Sequence, residues 1–150
     1  MSDYSFSLVH PLSDSEIFEI KERCSPSLRA LCARYIAEVD PSKGFPSGPN
    51  FLDVLRTSWL LDSQPEKPEF STLVNGLGYA FGLVLKKEFQ LQWFEAIDSN
   101  GKFITMARSG TANFKAVSIP PFGYVEKREH LQNAEVFHDF FAQIPAAVGL

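Results

Sequence analysis

Cysteine is scarce: Cys24 and Cys32 are the two in the 150-residue chain, and they lack the CxxC spacing of a redox or zinc motif. So few thiols, so placed, exclude a disulfide-built scaffold and a zinc ribbon. Cys32 falls on one stripe with Leu28 and Tyr35, as a buried structural thiol would. Long apolar runs are also missing, none approaching the ~20 residues that cross a bilayer. Basic stretches are absent too. Lys and Arg are scattered, their densest group is Lys127-Arg128, and the formal net charge is −4. Without a stripe of cations to neutralise a phosphate backbone, nucleic acid is not expected as a direct partner. The segment MSDYSFSLVH carries an acid at Asp3 and no basic or long apolar region. The expectation is therefore a cytoplasmic chain without a signal peptide or membrane span.

Catalytic signatures are equally absent. There is no G-x-S-x-G elbow, no P-loop and no H-E-x-x-H. Catalytic groups can still converge in space, but the sequence names no catalytic residue, metal ligand or cofactor. His10 stands alone before Pro11, while His130 and His138, the latter beside Asp139, lack the three-or-four spacing of helical metal ligands.

What is present reads as an α+β domain spanning the whole chain, 1–150. Residues 1–64 are mainly helical. Residues 70–150 supply a glycine-containing helix, a small antiparallel sheet of three or four strands, and a closing helix. Tyr4, Phe6 and Leu8 alternate with serines and predict a short strand ending before Pro11. Ser13 and Glu16 form a capping box that opens a helix to about Cys24. Ser25-Pro26 restarts the pattern, with proline at the first position of a second helix running to Val39. After the proline-glycine loop at 41–50, Phe51, Leu52, Val54, Leu55, Trp59 and Leu60 predict a further helix, which QPEKPE ends.

The stretch NGLGYAFGLVLKKEF, 75–89, imitates a phosphate-binding glycine run, and Asp98 stands where a ribose-binding acid would. A nucleotide fold needs a strand before those glycines. Here Phe70, Leu73, Val74, Leu77, Phe81, Val84 and Leu85 keep one helical arc from before Gly76 to beyond Gly82. The pattern predicts one helix through the glycines, with Gly78 and Gly82 admitting a close neighbour, for which the sheet is the candidate. Leu at either position is expected to destabilise by about 1–3 kcal/mol through overpacking.

Beyond that helix, LQWFEAID and KFITMARSG flank Asn100-Gly101, a strong hairpin signal. FKAVSIPP predicts another strand, GYVEKREH a helical turn or two, and Val136, Phe137, Phe140, Phe141 and Ile144 the apolar stripe of a last helix. With Asn100-Gly101 as the turn, Trp93 opposes Arg108, Glu95 opposes Met106, and Ile97 opposes Ile104. Glu95 then reaches Arg108 diagonally. That arrangement has two readings, a Trp93–Glu95–Arg108 recognition site or a structural ion pair with the guanidinium on the indole.

Three segments, LGYAFG at 77–82, LQWFEAID at 91–98 and PFGYVEKR at 121–128, resemble a family of small bacterial domains of unknown function over residues 77 to about 141. Domains of this helix–hairpin–strand pattern are similar to several bacterial immunity proteins, which neutralise a toxin by binding it. The resemblance implies a non-catalytic, protein-binding domain of immunity type, with a toxin as the class of partner and no active residues to transfer. The candidate contacts are Glu95, Arg108, Tyr124, Lys127 and Arg128. The alternative is a small-molecule-binding protein or enzyme with a pocket between the sheet and the glycine helix.

Overall fold

A computed structural model describes residues 6–36, 48–108, 117–128 and 135–147. Strand β1 (Ser7–Pro11) leads into helix α1 (Asp14–Tyr35), followed by α2 (Pro49–Leu61) and α3 (Phe70–Phe89). Strands β2 (Gln92–Asp98), β3 (Gly101–Arg108) and β4 (Val117–Ile119) come next, then the short α4 (Pro121–Lys127) and α5 (Val136–Ala147). The four strands form one antiparallel sheet in the order β1-β2-β3-β4. The fold is α+β, as the sequence predicts. Tyr4, Val39 and most of the 41–50 loop lie outside the described residues, as do 109–116 and 129–134.

The capping box forms as expected, with Ser13 Oγ accepting from the Glu16 amide at 3.2 Å and Glu16 Oε1 accepting from the Ser13 amide at 3.0 Å. The expected break at Ser25-Pro26 does not occur, and α1 runs through Pro26 as one helix. A proline inside a helix removes one backbone bond and crowds the preceding turn. Here the apolar stripe keeps its phase across it: Ile20, Cys24, Leu28, Leu31 and Cys32 are all buried, and α1 packs along α3. Tertiary burial of a continuous stripe outweighs the local signal.

Helix α3 is the centre of the molecule, packing against α1, α2, α4 and the sheet. Its span confirms the helical reading of the glycines, which lie well inside it. Each bare position meets a different neighbour. A Cβ at Gly76 would lie 2.9 Å from both Leu28 N and Ser27 C, so the backbones of α1 and α3 touch there. At Gly78 it would lie 3.0 Å from Phe122 Cα on α4, and at Gly82 it would lie 2.4 Å from the indole of Trp93 on β2. The sheet is thus the neighbour of Gly82, whereas Gly78 admits α4. Phe81, fully buried, gathers Tyr124, Phe137, Phe140 and Phe141 at centroid distances of 5.0–5.8 Å.

One face of the sheet, through Leu91, Trp93, Met106 and Ile119, completes this helical core. On the other face Phe94, Ala96, Thr105 and Ala107 are buried as well. The β1 edge is irregular between Leu8 and His10 and ends on Pro11, and the described part of the β4 edge, Val117–Ile119, stops at Pro120. An irregularity and a proline hinder pairing of the β1 edge with another strand.

Candidate functional site

The hairpin register differs from the expected one. Asp98 pairs with Gly101, so Ser99 and Asn100 form the turn, Trp93 opposes Met106 and Glu95 opposes Ile104. Asp98 Oδ1 accepts a hydrogen bond from the Asn100 amide at 2.8 Å, and Gly101 takes φ 119°. An aspartate opening a turn and a glycine closing it are the preferences of a four-residue turn. They outweigh the Asn-Gly pair taken alone. Arg108 therefore lies four residues beyond Glu95's partner on β3, about 13 Å along the strand. The Trp93–Glu95–Arg108 cluster does not form.

Glu95 instead faces His10 across β1 and β2, with Oε2 3.9 Å from Nδ1, and His10 Nε2 lies 4.0 Å from Glu16 Oε1. Arg108 pairs with Val117 and borders a hollow of about 250 Å³ with Gln90 and Gln92. Trp93 is a core residue, its ring stacked between Tyr79 and Phe122 at 6.4 and 6.1 Å. Tyr124 is also buried, 4.6 Å from the Phe140 ring, and so is not placed for surface contact. The Arg128 guanidinium lies 3.8 Å over the Tyr124 ring. Of the five candidates, Lys127 is the exposed one.

Lys127 stands on the border of a cleft of about 580 Å³ beside the hairpin turn. The cleft exists because α4 starts immediately after β4, at Pro120-Pro121, where proline is preorganised for the first helical position. This sets Phe122 and Lys127 beside the turn. The apolar lining comes from Phe103, Ile104, Pro120 and Phe122, all half-buried. Exposed charges surround it: Arg23 from α1, Lys102 from β3, and Glu126 and Lys127 from α4. Asn75 of the glycine helix and Asn100 of the turn add amides, and Asp98 lines it while accepting from the Asn100 amide. Among the described residues, neither Lys102 nor Lys127 forms a salt bridge. The described lining holds no histidine or cysteine. These groups can bind apolar surface and charge together.

A second polar cluster, missed in the sequence, lies between α2, α4 and α5. Asp53 and Arg56 are buried, whereas Val54, expected on the apolar stripe, is 48% exposed. Asp53 accepts hydrogen bonds from the amides of Phe137 at 2.8 Å and His138 at 3.0 Å, capping α5 from another helix. Burial pushes its carboxyl up, while those two amides and Arg56 pull it back. Arg56 Nη2 donates to the Arg128 carbonyl at 2.6 Å, tying α2 to the end of α4. An acid and a base three apart on one helix were the available signal.

At the start of α5, ligand atoms of Glu135, His138 and Asp139 lie within 4.8 Å of one another. All three residues are exposed and stand at the positive end of the helix, which disfavours a cation. His130 lies outside the described residues. In comparisons with family models, curated proteins and solved structures, none matches this chain.

Proposed function

We propose that this chain is a non-catalytic binding protein that holds a segment of another protein in the cleft between the hairpin turn and α4. The observation that carries this reading is the arrangement of half-buried apolar groups inside a ring of exposed charges. Interfaces between proteins have that anatomy, an apolar centre with a polar rim. Addition of a strand at the β1 edge is the less suitable mode, because that edge is irregular between Leu8 and His10 and ends on Pro11. With the sequence resemblance, the reading extends to an immunity-type protein acting in the cytoplasm, neutralising a toxin by occlusion. Among the described residues no helix is long and apolar enough to cross a membrane.

A capture experiment tests this. The full chain and its Lys102→Glu/Lys127→Glu variant are immobilised and exposed to lysate of the source organism, and bound proteins are identified by mass spectrometry. A partner retained by the wild type and lost by the variant, with nanomolar affinity on calorimetry, is the expected result. Retention of the same proteins by both would remove the cleft from the binding surface.

A small-molecule site is the second reading. The cleft volume of about 580 Å³ supports it, being within the range of ~300–1,000 Å³ usual for ligand pockets. Asn75 brings the glycine helix to its border. Thermal shift against a metabolite library addresses it, and a saturable shift abolished by Asn75→Ala would favour this reading over protein docking.

A further inference from the structure

We infer that the partner segment held in this cleft is acidic and inserts an aromatic side chain, an inference that rests on the docking function proposed above. The chain as a whole carries −4, so a simple net-charge argument would select a basic partner. The cleft has the opposite sign. Three cations, Arg23, Lys102 and Lys127, come to it from three different elements, against the carboxylates of Glu126 and Asp98. One of those two, Asp98, is already engaged by the Asn100 amide. The remaining acids of the chain act on a docked segment from a distance. At physiological salt their fields fall off over ~8 Å, whereas charges in contact with the segment are screened far less. Local sign therefore decides the partner's charge.

The aromatic anchor follows from the apolar lining. Phe122 keeps part of its ring exposed while the ring stacks on Trp93, which Tyr79 holds from another side. Gly78 backs the same ring, with no room for even a methyl group. A half-exposed ring held this firmly on one side offers a preorganised surface for another ring, and little side-chain freedom is lost on binding. Interfaces concentrate their energy in such anchors, with the charged rim setting specificity and encounter rate.

The test selects a phage-displayed random dodecapeptide library on the immobilised full chain. Recovered sequences are then synthesised and titrated by fluorescence anisotropy against the wild type, Lys102→Glu/Lys127→Glu, and a control reversal away from the cleft, Lys86→Glu/Lys87→Glu. Circular dichroism melts establish that each variant folds. The expected result is enrichment of Phe, Tyr or Trp flanked by Asp and Glu. Affinity should fall by roughly tenfold or more in the cleft variant, since two rim contacts become repulsive, and should change little in the control. Enrichment of basic peptides that bind the cleft variant more tightly than the wild type overturns the acidic partner and leaves docking standing. Failure to recover any peptide sensitive to the cleft variant overturns both.

Discussion

Gly82 of α3 lies against the indole of Trp93, so that a Cβ there would come within 2.4 Å of Cη2 and 2.7 Å of Cζ2. The ring cannot swing away, because it is 2% exposed and held by Tyr79 and Phe122. Gly82→Ala gains about 1 kcal/mol of helix propensity, but the forced displacement costs about 1–3 kcal/mol. The expected net result is destabilisation in urea. Gly76→Ala should cost more, since its neighbours include backbone atoms of Ser27 and Leu28. Gly123→Ala, on α4, is the control. Its nearest neighbour would be 3.9 Å away, so it should be neutral or stabilising by up to about 1 kcal/mol. Equal unfolding midpoints for all three variants would contradict the close approaches.

The same glycines show what could be read in advance. A helix with a continuous apolar arc, a capping box and an apolar stripe are patterns within a few residues, and α3, the Ser13–Glu16 box and the last helix are therefore legible in the sequence. Pro26 is misleading because its effect depends on whether both flanks pack on one neighbour, and that neighbour is α3, far away in sequence. The hairpin register turns on Asp98 accepting from Asn100 rather than on the Asn-Gly pair beside it. Of the candidate contacts, Lys127 reaches the cleft, whereas Tyr124 is taken into the core by Phe81, Phe137 and Phe140. The cleft could not be read from local pattern, since its lining comes from α1, α3, β3, α4 and the hairpin turn, brought together only by folding.

Asp53 joins α2 to the first amides of α5, and removing it should loosen the closing helix. Asp53→Ala leaves two amides of a helix start and the neighbouring Arg56 without this partner in a buried setting, at a cost of about 2–4 kcal/mol. Asp53→Asn keeps one acceptor oxygen and carries no charge, which burial disfavours, so it should cost less than alanine. Urea denaturation would rank the three proteins. Hydrogen exchange should locate the loss, with faster exchange at Phe137 and His138. Unchanged protection there in the alanine variant would show that α5 does not depend on this cap.

Asp62 fastens the end of α1 to the end of α2. Its carboxylate accepts from Arg34 Nε at 2.6 Å, from the Tyr35 hydroxyl at 2.6 Å and from the Gln64 amide at 3.0 Å. Arg34, then Tyr35, hold its carboxyl well below the usual carboxylate range. A depressed value in the fold means that the contribution is complete above the unfolded value near 3.8 and is lost as pH falls below it. The melting temperature of the wild type should therefore exceed that of Asp62→Asn at neutral pH, and the gap should narrow on acidification below about pH 4. At the alkaline end Tyr35 is pushed up to about 12 by burial first and Asp62 second, so its contribution fades as pH rises from about 10 towards that value. A gap that stays constant into acid would exclude Asp62 as its source.

The two cysteines report on the packing of α1 against α3. Cys24 is fully buried and Cys32 is 2% exposed, and burial pushes both thiols up, Cys32 to about 11. Thiolate, not thiol, attacks an electrophile, so burial slows reaction twice, by blocking access and by keeping the proton on sulfur. They stand eight residues apart on one helix, about 12 Å along its axis, which is too far for a disulfide within the chain. Ellman's reagent should therefore find almost no reactive thiol in the native protein and two after denaturation, even under oxidising conditions. Gly76→Ala forces apart the two helices where Ser27 and Leu28 meet α3, between the cysteines. It should accelerate native-state labelling of both in proportion to its destabilisation, because labelling then proceeds through opening of that interface. Rapid labelling of the untouched protein would mean that α1 is not seated on α3, and the burial that carries α1 through Pro26 would lose its basis.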